Sequence, residues 1–128
     1  MKYALFDYLT DKGINDFKTW TEKLQKTQRA KLNVRLDMLE HKGPELFPQI
    51  LTGTNTAGIQ KLRVPGKIQL RPMLCKGPIN VKTEFTLLIG AIEKQGKLQP
   101  KKADQIADDR KKDVSKDNTR RIKHERIS

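Results

Sequence analysis

Residues Phe85 to Ile92 form a nearly continuous apolar run with Gly90 inside it. A run this short, with no polar face, predicts a strand buried on both sides. The chain has 128 residues, which is room for one domain. A domain of this size buries roughly two-thirds of its unfolded surface, so a core around such a strand is attainable.

The remaining elements follow from periodicity and punctuation. Tyr3 to Tyr8 read as a short aromatic-rich strand. Thr10 and Asp11 offer an N-cap for a first helix with the stripe Ile14, Phe17, Trp20 and Leu24. Gly13 weakens its first turn. Thr27 offers a cap for a second helix reaching about His41, with Leu32, Leu36 and Leu39 on one face and Val34 and Met38 widening it. Gly43-Pro44 stops it. Residues 44–57 read as irregular structure or a short helix. Gln95 to Gln99 read as a turn, and Pro100 as the first position of a third helix with the thin stripe Ala103, Ile106, Ala107 and Val114. The expected fold is α+β, a single small domain in the order β-α-α-β-β-β-α. Its sheet is antiparallel-rich, with a helical hairpin on one face and a C-terminal helix. Residues 1–116 make up the domain, and residues 117–128 read as a basic, flexible tail.

Ile59 to Arg63 and Lys67 to Leu74 read as two strands around Val64-Pro65-Gly66. A three-residue loop pairs Arg63 with Lys67, Leu62 with Ile68 and Lys61 with Gln69, so polar meets polar and apolar meets apolar. Gly66 would supply the positive φ of such a loop. Pro72 predicts an edge or a bulge. In this register Lys61, Arg63, Lys67, Gln69 and Arg71 share one face, with Met73 at its end. Leu62, Ile68, Leu70 and Leu74 share the other.

That polar face lies in an acid-free window. From Leu46 to Thr83 there is no Asp or Glu, while Lys61, Arg63, Lys67, Arg71, Lys76 and Lys82 all fall there. The whole chain carries 27 Lys and Arg against 15 Asp and Glu, a formal charge of +12. A basic sheet face of this kind contacts several phosphates, and its binding weakens steeply with salt. The six cations are the expected nucleic-acid contacts. The C-terminal helix reads as a solvated mixed-charge surface with pairs such as Asp108–Lys112. The tail from Arg120 either adds attraction to nucleic acid or has no role.

Other classes are disfavoured. No apolar run approaches ~18 residues, so no membrane partner is expected. Met1 leads into a strand-like segment and not a signal peptide, which predicts a cytoplasmic protein. Cys75 is the single cysteine, so no disulfide framework is expected. One Cys with His41 and His124 gives no ligand spacing, so no metal and no cofactor are expected. Both histidines read as structural or inert. Nothing resembles a nucleophile elbow or a phosphate loop. Trp20 reads as packing, and Cys75 as a buried, inert thiol.

The element order, together with four short segments, resembles the RelE/ParE toxin superfamily, and within it the phage-derived HigB-like branch. The segments are Ile59-Gln60-Lys61-Leu62-Arg63, Leu70-Arg71, Leu88 to Lys94, and Pro100-Lys101-Lys102 with Ile106-Ala107 and Arg110. The likeness spans about residues 3–115. It departs from the family at Leu70 and Ala91, where aromatics are usual, at Ile89, where His is usual, and at Pro72. Of two paired lysines only Lys94 remains.

The resemblance implies the toxin of a toxin–antitoxin system, a ribosome-dependent, metal-independent endoribonuclease that inhibits translation. Its partners would be messenger RNA, the ribosome and a cognate antitoxin. Arg63 and Arg71 would clamp phosphate, and Lys94 and Lys61 are further catalytic candidates. A 2′-OH would attack the adjacent phosphate, with guanidinium groups stabilising the charge. Neither His suits the general base, so a lysine among like charges, Lys61 or Lys94, is the candidate. The departures favour an alternative, a non-catalytic nucleic-acid-binding protein on the same fold. A ParE-like gyrase inhibitor is the third reading.

Overall fold

The computed structural model describes residues 2–128. Burial decides most of the helical structure. α1 spans Asp16–Lys23 and begins only after Gly13, whose φ is +76°, has turned the chain. Its cap is therefore Asn15, whose side chain accepts from the Lys18 N–H at 3.0 Å, and not Thr10 or Asp11. α2 spans Lys26–Lys42 and opens with a reciprocal Gln25–Gln28 capping box, two residues before the expected Thr27. Leu32, Leu36 and Leu39 are all buried, as the i, i+4, i+7 spacing requires. Gly43 ends α2 with φ +51°, and a 3₁₀ turn follows over Gly43–Leu46.

The main sheet has six strands in the order β2-β3-β5-β6-β1-β9. These are β1 (Ala4–Tyr8), β2 (Leu51–Gly53), β3 (Gln60–Leu62), β5 (Met73–Lys76), β6 (Glu84–Ile89) and β9 (Arg121–Lys123). Among the described residues only β1 and β6 pair in parallel, and the other pairings are antiparallel. A second, three-stranded sheet holds β4 (Gln69–Leu70), β7 (Ile92–Lys94) and β8 (Lys97–Gln99). The fold is α+β and antiparallel-rich. Between α2 and α3 it makes seven strands where three were expected.

β6 is buried along its whole length. On one side, α1 and α2 bring Phe17, Leu32, Leu36 and Leu39 against Leu5, Leu62, Leu74, Phe85 and Leu87. On the other, α3 (Ala103–Lys116) brings Ala103, Ala107 and Val114 against Ile59, Met73, Cys75 and Leu88. α3 begins at Ala103 and not at Pro100, because residues 97–99 are taken into β8. α3 therefore covers part of the face opposite the helical hairpin, over β5 and β6. Among the described residues no helix is long and apolar enough to cross a membrane.

The apolar run does not continue to Ile92 as one strand. It breaks at Gly90-Ala91, and Ile92 starts β7 in the second sheet. The expected flexible tail is also corrected. β9 pairs with β1, matching Asp7 with Ile122 and Tyr8 with Arg121. Arg121 forms an ion pair with the buried Glu84. His124 Nδ1 lies 2.8 Å from Oδ1 of the buried Asp7. Asn33 Nδ2 donates to the Ile127 carbonyl at 2.8 Å. Arg120, Arg121, His124 and Arg126 answer carboxylates and carbonyls of the body.

Candidate nucleic-acid interface

The hairpin that carries the basic row has a different register from the expected one. Lys61 lies opposite Met73, where Gln69 was expected, a shift of four residues. Val64 bridges Leu70 in the same register, and Leu62 N–H donates to the Pro72 carbonyl at 2.9 Å. Side chains alternate with a period of two, so an even shift leaves each on its own face. Leu62, Val64, Leu70 and Leu74 are all buried in the core beneath the helical hairpin. That burial sets the register, and Val64 to Leu70 close through a wider loop than Gly66 was expected to make. Gly66 is not among the residues with positive φ. Pro72 falls between β4 and β5, where the chain passes from one sheet to the other.

Lys61, Arg63 and Arg71 therefore stay on one face, and in this register Arg63 and Arg71 stand across from each other. With Thr52, Gly53 and Glu93 they line a cleft of about 270 Å³. Thr52 enters because β2 pairs it with Lys61. Glu93 enters because β7 pairs it with Gln69 on β4. Both were missed in the sequence. The signal that could have found Glu93 is its place as the one acidic residue between Glu84 and Asp104, but only a long-range strand pairing brings it to the arginines.

The other expected contacts are dispersed. Lys67 lines a separate groove with Gln28, Lys31 and Ile68. Lys76 lines a third cleft. Lys82 lies in the loop between β5 and β6, its N–H donating to Asn80 Oδ1 at 3.1 Å. Lys94 ends β7 opposite Lys97 and is exposed. Next to Glu93 on a strand, it points to the other face, so it does not line the Arg63–Arg71 cleft. Arg110 is held within the fold, donating to the Leu88 carbonyl at 3.0 Å and to Asp16 at 2.9 Å. His41 Nδ1 lies 2.8 Å from the Asp37 carbonyl.

Arg71 is the unusual member. It is 5% exposed. Its Nη1 donates to the Leu70 carbonyl at 2.9 Å and its Nη2 to Gln69 Oε1 at 2.7 Å. Among the described residues it has no carboxylate within ion-pair distance. Burial pushes its pKa down, Glu93 opposes this, and Arg63 adds to it. A buried cation without a close counter-charge costs stability unless an anion joins it. Arg71→Met is accordingly expected to leave stability unchanged or to raise it by about 1 kcal/mol or more. Thermal melting checks this, and a loss of about 2 kcal/mol would mean that the guanidinium is already satisfied within the fold. Burial also pushes the Cys75 thiol up to about 12, consistent with an inert side chain.

Compared with known proteins, the chain matches no family model, no curated protein and no solved structure.

Proposed function

We propose that this chain is the toxin of a toxin–antitoxin pair, acting in the cytoplasm as a ribosome-dependent endonuclease that cuts messenger RNA without a metal. The observation that carries this reading is Arg71, a buried guanidinium at a cleft that also holds Arg63 and Lys61. Such a cleft favours a phosphodiester, whose charge supplies what the fold withholds from Arg71. The likeness to RelE/ParE toxins in the strand segments around Arg63 and Arg71 supplies the reaction class. The basic cleft is also the surface an antitoxin would neutralise.

The cleft offers a proton acceptor that the lysines do not. Glu93 takes the proton of the RNA 2′-OH as that oxygen attacks the adjacent phosphorus. Arg63 and Arg71 stabilise the charge that gathers on the phosphate oxygens. The bond from phosphorus to the 5′-oxygen breaks, and the Lys61 ammonium protonates the leaving oxygen. The products are a 2′,3′-cyclic phosphate and a 5′-hydroxyl. Positioning of the message by the ribosome contributes the remaining acceleration.

The test is message integrity in a cell-free bacterial translation reaction. Wild-type protein is expected to cut only when ribosomes are present. Arg63→Ala/Arg71→Ala and Glu93→Gln are each expected to slow cutting by about a hundredfold or more. Intact message at stoichiometric wild-type protein would overturn the nuclease reading. Salt-sensitive RNA binding would then favour the non-catalytic alternative, and a DNA-damage response the gyrase alternative.

A further inference from the structure

A second basic cleft, apart from the proposed catalytic one, has about 460 Å³, within the range of pockets that hold small ligands. Gly53, Thr54, Thr56 and Gly58 line it from one side, with Lys76 and with Lys111 of α3. No acidic residue lines it. Among the described residues neither Lys76 nor Lys111 is in an ion pair. The two ammonium groups are thus available to an anion.

The walls are preformed. Thr54 Oγ1 accepts from the Thr56 N–H at 3.1 Å, and its one hydrogen is shared between the Ile59 and Thr56 carbonyls, at 2.9 and 3.0 Å. Thr56 Oγ1 donates to Asp104 on α3 at 2.7 Å, tying the loop to the helix. Gly58 has φ +82°, and a Cβ there would lie 2.7 Å from Lys111 Nζ. The glycine therefore permits both the turn and the seating of the ammonium over it. Val81 is exposed and gives the cleft an apolar rim.

Gly53 lines both clefts. It ends β2, the edge strand of the main sheet, and pairs with Gln60. We infer that this second cleft is a nucleotide subsite for the same single-stranded RNA. Lys76 and Lys111 hold a phosphate there, and the strand crosses the sheet edge at Gly53. This inference rests on the proposed RNA-binding function.

The test is fluorescence anisotropy with labelled 2′-O-methyl RNA, which cannot be cut, at lengths of about four and about ten nucleotides. Wild-type protein is expected to bind the longer strand at least about tenfold more tightly. Lys76→Gln/Lys111→Gln is expected to lose that gain and keep the affinity for the short strand. Its dependence of log K on log salt, with the longer strand, should flatten by about 0.7 for each phosphate released. If Lys76→Gln/Lys111→Gln retains the length gain while Arg63→Ala/Arg71→Ala weakens the short strand, the second subsite is wrong and RNA binding stands. If wild-type protein binds neither length, the RNA-binding reading falls and the subsite with it.

Discussion

Removing residues 117–128 is expected to abolish cooperative unfolding at 25 °C, although the segment reads from its composition as a dispensable basic tail. Its loss strips the pairing from β1, which becomes an edge strand. Glu84, 7% exposed, loses Arg121. Asp7, 2% exposed, loses His124 and keeps only Asn15. Leaving one buried charge unpaired costs about 3–5 kcal/mol, against about 5–15 kcal/mol for a whole domain. Two such losses together with a strand exceed the lower part of that range. Urea and thermal unfolding followed by circular dichroism check this. A truncated protein melting within a few degrees of the full chain would show that the segment is not integral. Arg121→Ala isolates the Glu84 contribution and is expected to cost about 3–5 kcal/mol.

The second large effect concerns a single methyl group. Gly90→Ala places a Cβ where it would run into the indole of Trp20. The backbone at residue 90 is not in the left-handed region, so the demand for glycine is one of space alone. Trp20 is packed against the core and lies against Phe17, with ring centroids 5.4 Å apart, so it has little freedom to retreat. Overpacking of this kind costs about 1–3 kcal/mol or more. Chemical denaturation measures it, and tryptophan fluorescence should shift in the same variant. Trp20→Leu combined with Gly90→Ala is expected to recover part of the loss relative to Trp20→Leu alone. An alanine variant as stable as wild type would mean that the ring can move aside.

These two sites also show where sequence reasoning stops. The burial of β6 on both faces was legible, because eight residues without a polar face admit few other fates. The switch of sheets at Gly90 was not, since apolar composition continues past it. The helical hairpin was legible because Leu32, Leu36 and Leu39 repeat at the helical period. The order of the tail was not, because charge-rich composition states nothing about where the counter-charges lie. Here they are Glu84 and Asp7, far away along the chain.

The basic row was legible for a related reason. Parity alone puts Lys61, Arg63 and Arg71 on one face, and parity survived a four-residue error in register. Parity could not show that Arg71 is buried, that α3 covers Met73 beside it, or that Glu93 arrives through the pairing of β4 with β7. Lys67, Lys76, Lys82 and Lys94 show the converse limit. An acid-free window counts charges, and the fold distributes them over several surfaces.

The pairing of β9 with β1 joins the last strand of the chain to the first. Contacts of such long sequence separation form late, because closing so large a loop costs entropy before the strands repay it. During synthesis β1 emerges early and waits, its neighbouring edge unfilled, until residues 121–123 are free to reach it. The main sheet is therefore completed only once residues 121–123 arrive, and until then the buried Glu84 and Asp7 lack the partners that Arg121 and His124 bring.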